Sequence, residues 1–151
     1  MITYFDTSAL IGFYVRDPVS RAARDARARS GRVVTSHLAF AETHAALARL
    51  LREGVLGATA CDTARQRFET DWTTFDRVRV DARLLPEIRR ALRVHALTGA
   101  DAVHLASASL ARRALLRSGD ELAFACGDRR LAAAAASDGI LLAWPAAKRA
   151  R

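Results

Sequence analysis

The 151-residue chain is poor in several residue types, and each shortage excludes a class of protein. Two cysteines cannot build the disulfide framework of a small secreted domain, so we expect a reducing, cytoplasmic environment. No apolar run approaches the roughly 20 residues that a membrane span needs. The opening Met-Ile-Thr-Tyr-Phe-Asp has no basic leader, so we expect no signal peptide and no membrane partner. A hydrophobic fraction of 51% excludes a disordered chain.

Motifs of nucleotide-binding and phosphoryl-transfer enzymes are missing as well. No Gly-x-Gly-x-x-Gly follows the first apolar run, so a dinucleotide enzyme is not expected. The one lysine, Lys148, lies in the tail, which leaves no Walker lysine and no site lysine for a receiver domain. A haloacid-dehalogenase-like phosphatase needs a second aspartate two residues after Asp6, and Ser8 stands there. An aspartate-based phosphatase is therefore only a less favoured alternative.

Positive charge is abundant. Twenty-four basic residues against 16 acidic ones give a net charge of +8, and 23 of the 24 are arginine. This balance favours a polyanionic partner such as nucleic acid. The alternative is that arginine and alanine are both abundant because the coding sequence is GC-rich. The stretch 16–32, with six arginines, either guides RNA or is an ordinary solvated face.

Short apolar runs alternate with helical patterns along the chain. The expected strands are 2–5, 33–36, 75–80, 122–126 and 140–144. The expected helices are 8–15, 18–29, 37–52, 56–72, 84–97, 100–117 and 129–137. Such alternation predicts an α/β fold, a three-layer α/β/α sandwich around a mainly parallel five-stranded sheet. We expect one domain over residues 1–144 and a short basic tail over 145–151.

Four acidic residues stand out; three of them lie at or near the starts of predicted helices, and Glu42 would have to point back along its helix to reach the same edge of the sheet. Asp6 directly follows the first strand, and Asp128 lies two residues after the fourth. Glu42 lies on the helix after the second strand, and Asp101 lies at the start of the sixth helix. Each has an ordinary interpretation. Asp6 and Asp128 can cap helices, Thr98-Gly-Ala-Asp101 is similar to a capping box, and Glu42 could be an exposed helical residue.

Taken together, these acids indicate a metal site. Ligands of a parallel sheet bind beyond the carboxyl ends of its strands, so the four carboxylates are expected to meet there. Carboxylates at such short distances repel one another, and this repulsion raises their pKa values. A hard cation such as Mg²⁺ or Mn²⁺ removes the repulsion. A site of this kind can activate water and stabilise an in-line displacement at phosphorus.

Four segments of the chain, in order, resemble the motifs of PIN-domain ribonucleases, most closely those of VapC-type toxins from bacterial toxin–antitoxin pairs. The segments are Phe5-Asp-Thr-Ser-Ala-Leu-Ile11, Ser36-His-Leu-Ala-Phe-Ala-Glu-Thr43, Leu97-Thr-Gly-Ala-Asp-Ala-Val-His-Leu-Ala-Ser107 and Ala125-Cys-Gly-Asp-Arg-Arg-Leu131. The resemblance covers the whole chain. It implies a Mg²⁺- or Mn²⁺-dependent endoribonuclease that leaves a 5′-phosphate and a 3′-hydroxyl, forms a homodimer and is inhibited by a cognate antitoxin protein.

The resemblance also assigns roles to residues. It implies four catalytic acids, of which the first, third and fourth bind the metal and Glu42 is a further candidate ligand: Asp6, Glu42, Asp101 and Asp128. Ser8 corresponds to the small polar residue that supports the first aspartate. Many relatives have threonine or serine near the fourth acid, where this chain has Cys126-Gly127. The fourth position is therefore the least typical of the four.

Three further residues are candidates for the site. Arg129 and Arg130 follow Asp128 and either contact RNA phosphate or form a solvated helix start. His104 shares the helix face of Asp101 and could donate to a metal-bound carboxylate, although we expect an ordinary core histidine. The alternative to an enzyme is a non-catalytic RNA-binding module with a PIN-like fold. The presence of all four acids argues against it.

Overall fold

The computed structural model describes residues 1–145 of the chain. Five strands and seven helices alternate along these residues, as the sequence predicts. The strands are β1 (Ile2–Phe5), β2 (Arg32–Ser36), β3 (Asp76–Val78), β4 (Leu122–Ala125) and β5 (Leu141–Leu142). The helices are α1 (Thr7–Ile11), α2 (Ser20–Arg29), α3 (Leu38–Arg52), α4 (Ala58–Trp72), α5 (Leu85–Val94), α6 (Gly99–Leu116) and α7 (Arg129–Ser137).

The strands form one sheet in the order β3-β2-β1-β4-β5, and every pairing is parallel. The central strand β1 is buried along its whole length between β2 and β4. Thr3 is in register with Val33 on one side and with Ala123 on the other. Strands buried on both faces of a parallel sheet are expected to be continuously apolar, as Ile2–Phe5 largely is.

The side chains of β1 alternate between two hydrophobic cores. Phe5 belongs to a core formed with α1, α2, α3 and α4. Ile2 and Tyr4 point to the opposite face, where they pack with α5, α6 and α7. A strand exposes successive side chains on opposite faces, so a single strand joins both cores. The predicted three-layer α/β/α sandwich is therefore confirmed.

The order of the strands also determines where a site can form. The chain moves from β1 to β2 and β3 on one side, and then crosses to β4 and β5 on the other. The switch point of the topology therefore lies between β1 and β4, and ligands of such sheets bind beyond the carboxyl ends of the strands at that point. Asp6 follows β1 there, and Asp128 follows β4.

Helices α1 and α5 end several residues earlier than predicted. Helix α1 ends at Ile11 rather than Val15, because the chain turns sharply at Gly12 to pack against α2. A Cβ at Gly12 would lie 3.0 Å from Ser20 Cα, so the two segments are in backbone contact. Helix α5 ends at Val94 rather than Leu97, because His95 is extended and pairs with Asp138.

The outer strands β3 and β5 are also shorter than predicted, with three and two residues. The predicted tail over 145–151 lies outside the described residues beyond Pro145, and the proposed domain boundary stays a prediction. Among residues 1–145, no helix has both the length and the apolar character that crossing a bilayer requires.

Candidate active site

All four predicted acids line a single cleft of about 860 Å³. We call it the acid cleft. The carboxyl ends of β1 and β4 contribute Asp6 and Asp128, the start of α6 contributes Asp101, and α3 contributes Glu42. Residues that are far apart in sequence are thus brought together by the switch point of the sheet.

Asp6 is the most enclosed of the four, with 4% of its surface exposed. Its Oδ1 accepts a hydrogen bond from the backbone N–H of Ala9 at 2.8 Å, so the residue is the N-cap of α1. Ser8 Oγ lies 2.8 and 2.9 Å from its two carboxylate oxygens. Burial raises the pKa of Asp6 from 3.8 to about 6, even though His104 and these hydrogen bonds favour the ionised form. Asp6 therefore caps helix α1 and, at the same time, presents its carboxylate to the cleft.

Ser8 connects the first and fourth motifs. Its hydroxyl donates to Asp6 and accepts the backbone N–H of Gly127 at 2.7 Å. A Cβ at Gly127 would lie 3.0 Å from Val19 Cγ1 and 3.2 Å from Ser8 Oγ, so a larger residue would be crowded at this close approach. The supporting position predicted for Ser8 agrees with this geometry. In the less typical Cys126-Gly127 sequence, the backbone N–H of Gly127 thus provides a direct contact to the Ser8 hydroxyl.

Glu42 reaches the cleft from α3 and is held by two side chains. Its Oε2 accepts hydrogen bonds from Thr7 Oγ1 at 2.6 Å and from His104 Nε2 at 2.7 Å. Partial burial acts to raise the pKa of Glu42, but these hydrogen bonds outweigh it and hold the pKa below its ordinary value. Glu42 is therefore an ionised carboxylate in a defined orientation.

His104 is a buried part of this network, with 2% of its surface exposed. A carboxylate only accepts hydrogen bonds, so Nε2 carries the proton that is shared with Glu42. Its Nδ1 lies 2.9 Å from the hydroxyl of Tyr4, a fully buried residue of β1. Tyr4 fixes the orientation of the ring from behind. His104 is buried, as expected of a core histidine. The structure also shows that its ring contacts the site acid Glu42.

Asp101 and Asp128 stand in more open positions. Asp128 is exposed and is the N-cap of α7, where its Oδ1 accepts from Leu131 N at 2.9 Å. Asp101 is half-buried in the first turn of α6, and its own N–H donates to the cap residue Thr98. The thiol of Cys126 lies among these acids. Burial first, and then the charges of Asp6, Asp128 and Asp101, raise its pKa far above the ordinary value.

Two arginines that sequence reasoning missed also line the acid cleft. Arg49 and Arg52 lie on α3, beyond Glu42. The residues of α3 that face the cleft are Glu42, Ala45, Ala46, Arg49 and Arg52, at helical spacing. That spacing is a signal the sequence contains. The predicted RNA contacts Arg129 and Arg130 are exposed at the start of α7, and neither lines the cleft.

The donor chemistry of the cleft suits a hard divalent cation. Carboxylate oxygens are the ligands that Mg²⁺ and Mn²⁺ prefer. Within residues 1–145, no three histidine, cysteine or acidic side chains are grouped tightly enough to hold an ion by themselves. The buried Asp6, with its raised pKa, would be stabilised as a carboxylate by a neighbouring cation.

Comparison with known proteins identifies the family. The PIN domain family matches residues 3–139, and the chain belongs to this family. Ribonuclease VapC45 and Ribonuclease VapC49, from two strains of Mycobacterium tuberculosis, are each 34% identical to the chain over 143 residues. Each alignment covers 94% of this chain and 94% of the relative. The predicted family is therefore confirmed.

Solved structures show the same fold. A toxin–antitoxin complex from Klebsiella pneumoniae matches with a TM-score of 0.64 and 18% identity, and covers 94% of this chain and 98% of that chain. The structure of M. tuberculosis VapC20, described as a toxin that cleaves the sarcin–ricin loop, matches with a TM-score of 0.59 and 21% identity. It covers 87% of this chain and 94% of that chain. At this level of identity, both comparisons concern the fold alone.

Proposed function

We propose that this protein is an endoribonuclease that hydrolyses RNA phosphodiesters and acts as the toxin of a toxin–antitoxin pair. The observation that carries the proposal is the acid cleft, in which four carboxylates meet at the switch point of a PIN-domain sheet. The two M. tuberculosis relatives, which are ribonucleases by name, support it over nearly the whole chain. A non-catalytic RNA-binding module would not need an ionised Glu42 oriented by two donors.

Asp6, Asp101 and Asp128 are the proposed ligands of one or two Mg²⁺ or Mn²⁺ ions, with Glu42 as a further candidate. When bound, such a cation activates water and neutralises charge that develops on the phosphate. Asp6 has little freedom to move, because Ala9 and Ser8 fix its oxygens. It would therefore set the position around which the more open Asp101 and Asp128 adjust.

Glu42 and the arginines have separate roles in the proposed reaction. Glu42 uses Oε2 for the hydrogen bonds from Thr7 and His104, which leaves Oε1 to accept a proton from the attacking water. Arg49 and Arg52 line the same cleft and would bind the phosphates next to the one that is cut. Both arginines are on α3 with Glu42. The helix therefore fixes the distance between the groups that bind the neighbouring phosphates and the carboxylate that accepts the proton.

The proposal includes partners. The relatives' names and the toxin–antitoxin complex with the same fold support a cognate antitoxin protein as the inhibitor. A homodimer and a cytoplasmic location are part of the same proposal; the first rests on family resemblance and the second on the low cysteine count. Expression together with the neighbouring gene of the native operon tests the partner, because an antitoxin would co-purify and suppress cleavage. Light scattering measures the mass of the assembly.

The activity is tested with purified protein and a synthetic hairpin RNA in Mg²⁺, in Mn²⁺ and in excess chelator. We expect cleavage with either metal and none in chelator. Asp101→Asn should lower the cleavage rate by about 10²–10³-fold, whereas Asp25→Asn, an exposed acid on α2 outside the cleft, should retain the rate of the unmodified protein. Cleavage that continues in chelator contradicts the metal requirement. RNA binding without cleavage under every condition would favour the non-catalytic module.

A further inference from the structure

A second cleft, of about 430 Å³, lies at the edge of the sheet and is dominated by arginine. We call it the arginine cleft. It lies between the edge strand β3 with its following loop and the second half of α6. Small apolar residues complete its lining, which consists of Arg77, Val78, Arg79, Arg83, Leu110, Arg113, Ala114 and Arg117. All five guanidinium groups belong to exposed residues, so this concave surface is accessible and strongly basic.

Three of the five arginines are held in place. Arg77 donates to the backbone carbonyl of Trp72 at 2.6 Å, and its guanidinium lies 5.5 Å from the centre of that indole ring. Arg83 pairs with Asp81 at 2.7 Å, and Arg113 pairs with Glu87 at 2.8 Å. An arginine that is already oriented loses less conformational entropy when it binds an anion.

The other two arginines supply charge that is not neutralised. Within residues 1–145, neither Arg79 nor Arg117 has an acidic group within ion-pair distance, although Arg79 is close enough to Asp81 to lower its pKa further. Asp81 and Glu87 offset two of the five positive charges around the cleft. The remaining charge favours an anionic ligand, and guanidinium groups suit phosphate because they bind two oxygens at once.

The arginine cleft and the acid cleft are separate but share one helix. They have no lining residue in common. Asp101 stands in the first turn of α6, and Leu110 lies nine residues further along the same helix, which corresponds to about 14 Å. An RNA with one phosphate in the acid cleft would therefore reach the arginine cleft several nucleotides away.

We propose that the arginine cleft is an RNA-binding site outside the active site that holds backbone phosphates of a substrate distant from the cut. The inference rests on the proposed function, since it takes RNA as the ligand. The observations favour RNA over an acidic protein. Five arginines line the cleft beside three apolar residues, Val78, Leu110 and Ala114, and such an excess of positive charge is more typical of nucleic-acid interfaces than of protein–protein interfaces. Substrates that extend over both clefts should bind more tightly than short ones.

The test compares two double variants in the catalytically inactive Asp101→Asn background. Arg79→Ala with Arg117→Ala removes the two cleft arginines that, within residues 1–145, have no acidic partner and are not anchored on an aromatic ring as Arg77 is. Arg89→Ala with Arg93→Ala removes the same charge from exposed residues of α5 that do not line it. Binding is measured against a synthetic hairpin RNA over a series of salt concentrations, and against poly-glutamate. Thermal melts establish that each variant folds.

For the cleft variant, we expect the slope of log affinity against log salt to become shallower by about 1.4 to 1.8, which corresponds to two lost phosphate contacts. Affinity for the hairpin should fall at least about tenfold near 0.1 M salt, and the α5 variant should bind much more tightly than the cleft variant. Equal losses in both variants would overturn the proposal, because total charge would then explain them. An equal loss of poly-glutamate binding would overturn it in favour of an acidic protein ligand.

The experiment separates this inference from the proposed function. Cleavage of the same hairpin by the otherwise unmodified protein is measured in parallel with Mg²⁺. If the otherwise unmodified protein cleaves the hairpin but the cleft variant binds it as tightly as its parent does, the proposed RNA-binding site is wrong and the ribonuclease proposal stands. No cleavage, together with selective loss of RNA binding, would support the site while contradicting the enzyme.

Discussion

The two walls of the acid cleft are built in different ways. The buried wall consists of Asp6 and Glu42, whose oxygens are held by Ser8, Thr7 and His104. The open wall consists of Asp101 and Asp128, which belong to the first turn and the N-cap of their helices and are in greater contact with solvent. The same type of side chain therefore stands in two different environments a short distance apart.

This difference shows how the fold divides the work of the site. Burying a carboxylate carries a desolvation penalty, so the buried wall requires hydrogen bonds that also fix its geometry before any ligand arrives. The open wall is solvated and has room to adjust. We therefore expect the open wall to affect catalysis with little effect on stability, and the buried wall to affect both.

The largest expected effect is on the open wall. Asp101→Asn and Asp128→Asn should each lower the cleavage rate by about 10²–10³-fold, since each removes one charge from the reaction site. Their melting temperatures in chelator should change little. Asparagine caps α7 about as well as aspartate, and Asp101 contributes at most about 1 kcal/mol through the helix dipole. Hairpin cleavage rates and melts measure this, with Asp25→Asn as the control. Rates near that of the unmodified protein would mean that both acids are only structural.

The next effect concerns the buried wall and its pH dependence. Burial raises the pKa of Asp6 from 3.8 to about 6, so the folded protein binds this proton more tightly than the unfolded chain does. The resulting stabilisation is complete below about pH 4 and is lost as the pH rises through about 6, by up to roughly 3 kcal/mol. Asp6→Asn carries no such proton.

Urea unfolding of both proteins in chelator across this range measures the effect. The stability of the unmodified protein relative to Asp6→Asn should decline as the pH rises. Carboxyls far from Asp6 whose pKa is lowered, such as Asp138 and Glu87, act in the opposite direction, but they are present in both proteins and cancel in the difference. A difference that does not vary with pH would show that Asp6 is not desolvated in the metal-free protein.

The contrast between the walls also marks how far sequence analysis could reach. Asp6 and Asp128 were found because strand ends are local features, and a parallel sheet places strand ends together. The contact between Tyr4 and His104 joins residues 100 positions apart, and no local pattern indicates it. Arg49 and Arg52 were missed although their spacing from Glu42 was available. Arg129 and Arg130 were chosen for sequence adjacency alone, and neither lines the cleft.

For the fold, too, local features were predicted and features that depend on distant residues were missed. Element types and their order were predicted from periodicity, but the ends of α1 and α5 depend on tertiary contacts. The apolar pattern of α1 continues through Phe13 and Val15, which are buried without being helical. The end of α5 coincides with the pairing of His95 and Asp138. Such boundaries are set by neighbours that are distant in sequence.

His104 provides a sharper test of the buried wall. His104→Leu removes the donor to Glu42, and we expect a 10–100-fold loss of apparent Mg²⁺ affinity. The measurement is the Mg²⁺ concentration that gives half of the metal-induced rise in melting temperature, which is independent of the cleavage assay. His104→Gln keeps an N–H donor and should recover part of the loss. Equal behaviour of the two variants would mean that the ring fills space and does not orient Glu42.

The smallest expected effect is at the contact between the walls. A Cβ at Gly127 would crowd Val19 Cγ1 at 3.0 Å and the Ser8 hydroxyl at 3.2 Å, so Gly127→Ala should destabilise the protein by about 1–2 kcal/mol. Gly31→Ala is the matched control, because the nearest atom to its Cβ, Met1 O, is 3.7 Å away. Urea unfolding of both variants measures the difference.

Combining Gly127→Ala with Val19→Ala separates crowding from the hydrogen bond that Gly127 N donates to Ser8 Oγ. Val19→Ala removes the methyl group that a Cβ at position 127 would meet, so it should recover part of the lost stability. Gly127→Ala should also lower cleavage, because the crowding displaces the Ser8 hydroxyl from Asp6, and the double variant should restore cleavage as Ser8 again orients the carboxylate. If stability returns without cleavage, the backbone contact itself aligns the two walls. If neither changes in Gly127→Ala, the walls are positioned independently and the Ser8 link is incidental.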